Sequence, residues 1–571
     1  MGFLEQYAAW LESSALSDTE KDELRGFYGD EKEIECRFFE PLGFGTAGLR
    51  GIVGLGIFRM NVHVVRHTTQ ALCELILEEP GNNKSVAICF DPRLNSREFA
   101  VEAACVIAGN GIAVKIFEDL RPTPELSFAI REYGCTAGIN ITASHNPKEY
   151  NGYKVYWSDG AQVLPRHAAV IAEKMAQLDF FGSIRTMDFD EALSRGLITI
   201  LGAETDELFL KNVLEQAGDF ETVKKAAQDF KVVYTPFHGA GHLLVPEAMR
   251  RLGLKHIICV PQQMEIDGTF PTVVSPNPEE PESFKLAVDL AKAHGAQLII
   301  GTDPDCDRVG IMIPDGTGEY VHLSGNKTGA LLLDYIIGAK NRAGKMPENP
   351  VALKTIVTTE MARRIAEQNG VSSFDTFTGF KFMAEKKNAL ESAGQGKVIY
   401  AFEESYGYMI GDFVRDKDAV TASMLLAQMA AWYHAQGISL LQAMENLYEK
   451  YGRYDELTLN IMMPGLEGMT RRAALMDGLR ETPPQEIAGS RVVCVRDYKS
   501  GEQTDTATGL KAPIELSGSN VLRFETADGT VILVRPSGTE PKVKVYIMTD
   551  GQSAAGIEKY AEWADGLGEI Y

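Results

Sequence analysis

Four polar segments carry the side chains with which this chain could do chemistry. They read Thr-Ala-Ser-His-Asn-Pro at 142–147, Gly-Thr-Asp-Pro-Asp-Cys-Asp-Arg at 301–308, Phe-Glu-Glu-Ser-Tyr-Gly-Tyr at 402–408 and Arg-Pro-Ser-Gly-Thr-Glu-Pro at 535–541. A serine can carry a phosphate, three aspartates can hold a metal ion on it, and carboxylates can grip sugar hydroxyls. Together the four segments predict transfer of a phosphoryl group between two positions of one sugar.

Ser144 is predicted to lie on an exposed loop after a strand at Gly138–Thr142. Asn146-Pro147 is a turn signal, because a residue before proline avoids the helical region. Open α/β sheets place their ligands at the ends of such strands. A phosphoserine would add a charge of about −1.5 to −2 and would need a cation beside it. Taken alone, the same residues suit a turn whose side chains cap the backbone, and a lone His145 is more often structural than catalytic.

Asp303, Asp305 and Asp307 are alternate residues, which project to one side of an extended segment. Three converging carboxylates suit a hard cation such as Mg²⁺, with a phosphate oxygen as a further ligand. A calcium EF-hand is excluded, because Arg308 stands where that loop needs glycine and Pro314 where it needs glutamate. The remaining alternative is a solvated acidic turn, which the preceding apolar strand disfavours.

The two later segments predict contacts with a sugar and with a phosphate. Glu403 and Ser405 supply a carboxylate and a hydroxyl, which together bind vicinal sugar hydroxyls. Lys417 follows close enough to reach a phosphate. The last segment offers a bidentate guanidinium, hydroxyls and backbone N–H groups from Arg535, Ser537, Gly538 and Thr539. The alternatives are an acidic loop for the first segment and a solvated hairpin for the second.

Composition limits the classes of partner. The 571 residues suggest three or four domains at about 150 residues each. The 56 basic and 79 acidic residues give a net charge of −23, which repels nucleic acid and anionic lipid, so a phosphate site must be a local basic cluster. The eight scattered cysteines, without a Cys-x-x-Cys pair, predict a reduced cytoplasmic protein. Neither a signal-peptide pattern nor a membrane-spanning apolar run is visible, so we expect no membrane contact.

Strands alternating with helices predict three αβ units with largely parallel or mixed sheets. Each unit ends a strand at one of the polar segments. After residue 455, short strand-like runs and the turn at Asp528-Gly529 predict a smaller antiparallel α+β domain. The predicted strands of the αβ units are Ser85–Phe90, Ala113–Phe117, Gly138–Thr142, Lys231–Tyr234, Ile257–Val260, Leu298–Ile300, Thr355–Thr358 and Val398–Phe402.

Nearly the whole chain resembles the α-D-phosphohexomutases, the phosphoglucomutase/phosphomannomutase superfamily. Besides the four segments, the resemblance rests on Phe-Gly-Thr-Ala-Gly-Leu-Arg-Gly at 44–51, Asp91 with Arg93, Asn-Gly-Tyr-Lys at 151–154 and Thr-Gly-Phe-Lys at 378–381. The segments at 44–51 and 402–408 are most similar to the branch of bacterial α-phosphoglucomutases and eukaryotic phosphopentomutases.

The resemblance implies an α/β fold of four domains around a central cleft. Three are similar αβ domains with mixed sheets, and the fourth is the smaller C-terminal antiparallel α+β domain. We expect the phosphoserine loop in 1–205, the metal loop in 206–322, the sugar-binding loop in 323–453 and the phosphate-binding loop in 454–571.

The resemblance also implies a role for each matching residue. Ser144 would be the phosphoserine and would bind Mg²⁺ together with Asp303, Asp305 and Asp307. The other catalytic candidates are Arg50, Lys154 and His145. The substrate-binding candidates are Arg308, Thr378, Gly379, Lys381, Glu403, Ser405, Lys417, Arg535, Ser537, Gly538 and Thr539.

The implied reaction interconverts α-D-glucose 1-phosphate and glucose 6-phosphate through glucose 1,6-bisphosphate, which would also act as activator. Phosphopentomutase, phosphomannomutase and sugar-bisphosphate synthase activities stay open, because Phe402 and Tyr406 depart from residues of some relatives. A simple phosphatase would need a water path that a closed cleft opposes. A non-catalytic sensor is disfavoured, since the serine and all three aspartates are present. We expect small-molecule sugar phosphates as partners, and a monomer or weak homodimer.

Overall fold

The structure is a computed structural model of the chain. It describes residues 2–45, 48–218, 220–226, 228–463, 465–537, 542–551 and 556–570. These residues form two compact units, of which the first comprises Met1–Leu323 and Tyr406–Gly437. The second unit comprises Ser324–Ser405 and Ile438–Tyr571.

The first unit contains helices and strands in alternation. Its α-helices are Phe3–Glu12, Asp18–Arg25, Glu31–Phe38, Val62–Glu78, Ser96–Gly109, Thr123–Glu132, Pro165–Gln177, Phe189–Ser194, Ala203–Glu215, Phe220–Ala226, Leu244–Leu252, Pro261–Met264, Lys285–His294 and Ala419–His434. Its strands are Gly48–Ile52, Ser85–Phe90, Ala113–Phe117, Ala137–Ile141, Tyr150–Trp157, Ile198–Leu201, Lys231–Thr235, His256–Cys259, Leu298–Thr302, Val309–Pro314, Tyr320–Leu323 and Gly407–Met409.

The second unit has fewer helices and a larger share of strands. Its α-helices are Gly325–Arg342, Glu360–Gln368, Phe380–Ser392, Leu440–Tyr451, Gly465–Glu481 and Glu558–Ile570. Its strands are Pro350–Thr355, Ser372–Thr376, Lys397–Glu403, Asp455–Met462, Glu486–Ile487, Ser490–Asp497, Glu502–Asp505, Lys511–Pro513, Leu522–Thr526, Val531–Pro536 and Lys542–Thr549.

The first sheet positions the serine loop. Ser85–Phe90 runs parallel to Ala113–Phe117 on one side and to Ala137–Ile141 on the other. These apolar strands are buried, as parallel strands covered by helices are. Tyr150–Trp157 returns antiparallel beside Ala137–Ile141, so residues 142–149 form the connection at the carboxyl end of a buried strand.

The second sheet positions the aspartate segment in the same way. Lys231–Thr235 is parallel to His256–Cys259 and to Leu298–Thr302. Val309–Pro314 then pairs antiparallel with Leu298–Thr302, with Gly301 opposite Gly310. The aspartates therefore lie in a tight connection between two buried strands.

In the second unit, Pro350–Thr355 is parallel to both Ser372–Thr376 and Lys397–Glu403. The C-terminal sheet is antiparallel, and Val531–Pro536 pairs with Lys542–Thr549. The connection between these two strands carries the predicted phosphate-binding residues. Gly538 and Thr539 lie outside the described residues.

The predicted fold class is confirmed, including the antiparallel C-terminal domain. Ser85–Phe90 and Ala113–Phe117 have the predicted bounds. The predicted strand at Thr355–Thr358 is wrong, because the strand is Pro350–Thr355 and the following residues form a turn. Lys354, which is 1% exposed, interrupts the apolar pattern of that strand. The sequence pattern therefore did not predict the strand.

Candidate active site

Ser144 lies in the connection between the strands Ala137–Ile141 and Tyr150–Trp157, at the end of a strand as predicted. The prediction that this loop is exposed is wrong at the serine, which is only 3% exposed. The aspartate segment packs against it, and the Ser144 hydroxyl donates a hydrogen bond to Asp303 Oδ2 at 2.9 Å. The serine N–H donates to Thr142 Oγ1 at 2.8 Å.

The three aspartates converge through a tight turn, so the prediction of an extended segment is wrong. Asp303 Oδ1 accepts the N–H groups of Asp307 at 3.0 Å and of Arg308 at 2.9 Å. Cys306 has a φ of 52°, in the left-handed region, which reverses the chain. One carboxylate oxygen of each aspartate lies within 4.8 Å of the others, and all three side chains are buried.

Three carboxylates this close repel one another strongly in a buried site. Burial and the neighbouring Asp305 and Asp307 raise the pKa of Asp303 well above its usual range. Burial also opposes ionisation of Asp305, but Lys154 outweighs it and lowers the pKa of that carboxyl. The cluster is therefore electrostatically incomplete without further positive charge.

The cluster fits a divalent cation. Asp305 Oδ1 and Asp307 Oδ1 are buried and make no hydrogen bond to any described residue. Buried carboxylate oxygens without partners are costly, and oxygen ligands are those that hard divalent cations prefer. The Ser144 hydroxyl, bonded to Asp303, places one more oxygen at the same position. The residues present therefore suit a divalent metal site.

Two lysines supply part of the missing charge. Lys154 Nζ is 2.7 Å from Asp305 Oδ2 and 3.7 Å from Asp307 Oδ2. Lys417 Nζ is 2.9 Å from Asp307 Oδ2 and 3.3 Å from Asp416 Oδ1. Lys417 lies two residues before the start of the helix Ala419–His434, whose N-terminus the Asp418 carboxylate caps. The structure thus places Lys417, predicted as a substrate-binding residue, beside the aspartates.

The other predicted residues of the first unit lie around the serine. Arg50 Nη1 donates to Asn146 Oδ1 at 2.9 Å. His145 Nδ1 is 3.2 Å from Ser144 Oγ, and its pKa is lowered by burial and then by the cations Arg308 and Arg50. Arg308 forms an ion pair with Glu279. All the catalytic and metal-binding candidates are therefore brought together within the first unit.

The second unit contains the candidates for binding the sugar and the distal phosphate. Glu403 Oε1 accepts the N–H of Gly379 at 2.5 Å, and Ser405 Oγ is 3.4 Å from Glu403 Oε2. Gly379 has a φ of 112°, which a side chain would disfavour, and it immediately precedes the helix Phe380–Ser392. Thr378 is half-buried beside it, and Lys381 is buried in the first turn of the helix.

The neighbouring Glu404 carboxyl group is influenced by two cations of the C-terminal domain. Its Oε2 accepts from the hydroxyls of Thr355 and Thr358, each at 3.3 Å. Burial and Glu403 raise its pKa, while the cations of Lys544 and Arg535 lower it. The described end of the predicted phosphate-binding segment therefore lies near the predicted sugar-binding segment. In that segment Ser537 N–H donates to the carbonyl of Lys542 at 2.9 Å.

Thr123 and Asn140, which help to position Asp305, were not predicted from the sequence. Thr123 donates its N–H to the Asp305 carbonyl at 2.8 Å and its hydroxyl to Asp305 Oδ2 at 3.0 Å. Asn140 donates to Thr123 Oγ1 at 2.8 Å. The Arg-Pro-Thr-Pro run at 121–124 marks a helix start after a strand, which was the available signal.

Comparison with known proteins assigns the family. Models described as phosphoglucomutase/phosphomannomutase alpha/beta/alpha domains I, II and III match residues 41–181, 207–316 and 324–451, and the model of the C-terminal domain matches 484–563. A phosphoglucomutase of Staphylococcus saprophyticus is 35% identical over 97% of this chain and 98% of its own length. The chain belongs to the phosphoglucomutase/phosphomannomutase family. The predicted membership of the α-D-phosphohexomutase superfamily is confirmed.

Solved structures of family members share the fold. A phosphoglucomutase/phosphomannomutase family protein of Burkholderia thailandensis has a TM-score of 0.67 at 18% identity, covering 92% of this chain and 97% of that chain. The phosphoglucomutase parafusin of Paramecium also has a TM-score of 0.67 at 18% identity, covering 93% of this chain and 95% of that chain. At these identities the likeness to the two structures shows the fold alone.

Proposed function

We propose that this chain interconverts α-D-glucose 1-phosphate and glucose 6-phosphate. The observation that carries the proposal is the buried Ser144 hydroxyl, bonded to one carboxylate of a three-aspartate cluster whose other members have unpartnered oxygens. The choice of glucose rests on the curated relatives named phosphoglucomutase, such as those of Staphylococcus saprophyticus and Staphylococcus aureus, at 35% and 36% identity.

The reaction begins with a phosphoryl group on Ser144, which passes to the free hydroxyl of the sugar phosphate. The bisphosphate reorients without leaving the protein, and its other phosphate is then transferred to Ser144. Lys154 and Lys417, both on the aspartate cluster, stabilise negative charge that develops on the transferred group. Arg50, which donates to Asn146 Oδ1 in the serine loop, contributes a further cation. Lys154 is the proposed proton-handling residue.

A bound Mg²⁺ on Asp303, Asp305 and Asp307 would neutralise phosphoryl oxygens and act as a Lewis acid. Glucose 1,6-bisphosphate is the proposed activator, because it can recharge a serine that has lost its phosphate. Burial of Ser144 at 3% exposure supports this cycle, since water has little access to the phosphoryl group.

The predicted sugar- and phosphate-binding residues are proposed to bind the parts of the substrate that do not react. Glu403 and Ser405 hold sugar hydroxyls, and the segment from Arg535 to Thr539 holds the distal phosphate. This phosphate-binding segment must accept the substrate in two orientations, so hydroxyls and backbone N–H groups suit it better than a single directional partner. Four domains, with boundaries near residues 205, 322 and 453, are part of the proposal.

The proposed substrates are small sugar phosphates, which a chain with a net charge of −23 can attract only at local cationic sites. None of the helices in the described ranges has both the length and the apolar character needed to cross a membrane. A cytoplasmic location is part of the proposal.

Phosphorus NMR of purified protein with Mg²⁺ and a trace of glucose 1,6-bisphosphate tests the proposed function. The substrates are α-glucose 1-phosphate, ribose 1-phosphate and mannose 1-phosphate, measured side by side. We expect fastest conversion of the glucose ester to glucose 6-phosphate. A preference for the ribose or mannose ester would contradict the choice of sugar, and accumulation of free bisphosphate from an acyl phosphate would indicate a synthase.

A further inference from the structure

Arg93 lies beneath the serine loop and is completely enclosed. Its side chain is 0% exposed, as is that of Asp91, whose Oδ2 is 3.3 Å from Arg93 Nε. The guanidinium donates hydrogen bonds to the backbone of the serine loop. A buried arginine of this kind has a cost unless its donors are satisfied, so its partners are informative.

The two terminal nitrogens of Arg93 donate to carbonyl groups of the serine loop and of the first residue of the following strand. Nη2 donates to the carbonyls of Ser144 and Asn146, both at 2.5 Å. Nη1 donates to the carbonyls of Pro147 at 2.9 Å and Tyr150 at 3.0 Å. One rigid, planar fork thus fixes four backbone positions, which a lysine ammonium with a single nitrogen does not reproduce.

The Asp91 carboxylate fixes the start of the same loop. Its Oδ2 accepts from the Thr142 hydroxyl at 2.7 Å, and Thr142 Oγ1 in turn accepts the Ser144 N–H at 2.8 Å. Asp91 Oδ1 accepts from Ser96 Oγ at 2.9 Å and from the Arg93 N–H at 3.0 Å. Both the N–H and the carbonyl of Ser144 are therefore held by the Asp91–Arg93 pair.

The hydrogen bonds at both the N–H and the carbonyl of Ser144 are important because this residue has a φ of 53°. A residue other than glycine in the left-handed region persists only where the surroundings over-determine its conformation. The hydrogen bond that the Ser144 N–H donates to Thr142 Oγ1 and the one that Arg93 donates to the Ser144 carbonyl supply that constraint. The conformation in turn directs the hydroxyl to Asp303.

The domain that carries the aspartates also packs against Arg93 and its neighbour Pro92. The Phe270 ring stacks on the Arg93 guanidinium, whose Cζ is 5.1 Å from the ring centroid. Gly268 lies so close to this region that an added Cβ would be 2.4 Å from the Pro92 carbonyl oxygen. Phe270 itself is 2% exposed. Arg93 therefore contacts both the serine loop and the Phe270 ring.

We infer that Arg93 is a positioning residue for phosphoryl transfer, which holds the backbone of the Ser144 loop in its strained conformation and so aims the serine oxygen at the metal-binding aspartates. The inference rests on the proposed role of Ser144. It predicts a loss in the chemical step, because a misplacement of about 1 Å at a reacting group costs on the order of 100-fold in rate. Ground-state binding of the sugar phosphate, which other residues provide, is unaffected.

The test compares Arg93→Lys with Arg523→Lys. Arg523 is another buried arginine, 8% exposed and paired with Glu525, in the second unit. For Arg93→Lys we expect kcat to fall on the order of 100-fold, with KM and Mg²⁺ affinity within about threefold of the parent protein. Arg523→Lys should leave kcat unchanged. Phosphopeptide mass spectrometry should show slower transfer of phosphate from glucose 1,6-bisphosphate to Ser144 in Arg93→Lys alone.

A kcat for Arg93→Lys within about threefold of the parent value would overturn the inference, as would a loss that appears only in KM. If Arg93→Lys does not fold, Phe270→Leu provides the second test, with kcat expected to fall about fivefold at unchanged KM. An unchanged kcat in Phe270→Leu would overturn the inference in that case. Failure of the proposed function is distinguishable, because the parent protein would then not turn over or would not need Ser144.

Discussion

The Ser144 hydroxyl donates a 2.9 Å hydrogen bond to Asp303 Oδ2, although 159 residues separate the two in the chain. The bond joins the connections at the ends of two different sheets, and both partners are buried. It places the oxygen that would carry a phosphate beside the carboxylates that would hold a cation. This relationship explains why the serine and aspartate segments occur together in one chain.

Asp305→Asn is expected to weaken Mg²⁺ binding. The substitution removes one anionic ligand and replaces an unpartnered carboxylate oxygen by a neutral amide. Since loss of even an outer partner weakens metal affinity about 10- to 100-fold, we expect a loss of about 100-fold or more here. Calorimetric titration with Mg²⁺ measures the affinity, and the metal-dependent rise in the thermal unfolding midpoint should shrink in parallel.

Asp315→Asn is the matched control for the metal prediction. Asp315 lies in the turn after Val309–Pro314, where its Oδ1 accepts the N–H of Thr317 at 2.8 Å. Its substitution should leave the Mg²⁺ affinity unchanged. An unaltered titration in Asp305→Asn would contradict the metal assignment.

The pH dependence of kcat/KM should reflect the protonation of Lys381. Burial lowers the pKa of this amine from 10.5 to about 8. The cation is therefore present below about pH 8 and lost above it, so kcat/KM should fall as pH rises through this value. Lys381→Arg keeps its charge at every accessible pH and should remove that fall.

Lys386→Arg, on the same helix, is the control for Lys381→Arg. Lys386 pairs with the exposed Glu515 at 2.9 Å and has no predicted role in binding. Its variant should keep the parent pH profile. A decline above pH 8 that persists unchanged in Lys381→Arg would exclude Lys381 as its source.

Glu360 should contribute acid-sensitive stability to the second unit. Burial raises its pKa, but Lys354, Arg363 and Arg523 outweigh burial and lower the pKa from 4.5 to about 2. Because the folded-state pKa is depressed, this stabilisation is complete above about pH 4.5 and is lost as pH falls toward 2. Glu360→Gln should therefore cost about 3 kcal/mol at pH 7, since it leaves the buried Lys354 with one carboxylate fewer.

Urea midpoints measured by circular dichroism between pH 7 and 2.5 test the Glu360 prediction. The difference between the parent protein and Glu360→Gln should narrow steadily below about pH 4.5. Glu367→Gln, at an exposed position of the same helix, should behave as the parent at every pH. A difference that is constant across this range would contradict the electrostatic origin.

The sequence predicted the elements whose signal is local. Ser85–Phe90 is a continuous apolar run, and Asp528-Gly529 forms the predicted hairpin between Leu522–Thr526 and Val531–Pro536. The strand Pro350–Thr355 was not predicted, because it contains the buried Lys354. The charge of this lysine is balanced by Glu360 at 3.0 Å and Asp375 at 3.2 Å. A sequence does not reveal such partners, since they come from the start of the following helix and from a neighbouring strand.

For the active site, residue types were predictable but their surroundings were not. Burial of Ser144 depends on the packing of the distant segment 303–308, which local patterns do not report. The convergence of the aspartates depends on a left-handed φ at Cys306, a residue that rarely adopts it. The Thr123 hydroxyl donates to the Asp305 carboxylate and Arg93 donates to the Ser144 carbonyl, and neither partner is visible in the local sequence.

Mass spectrometry of the phosphorylated protein tests the central claim, that Ser144 carries the transferred phosphoryl group. Protein incubated with glucose 1,6-bisphosphate should bear a single phosphate on the peptide containing Ser144, and excess glucose 1-phosphate should remove it at least as fast as the enzyme turns over. Ser144→Ala should take up no phosphate and lose turnover while keeping its unfolding midpoint. Phosphate on another residue, or full turnover by Ser144→Ala, would contradict the account.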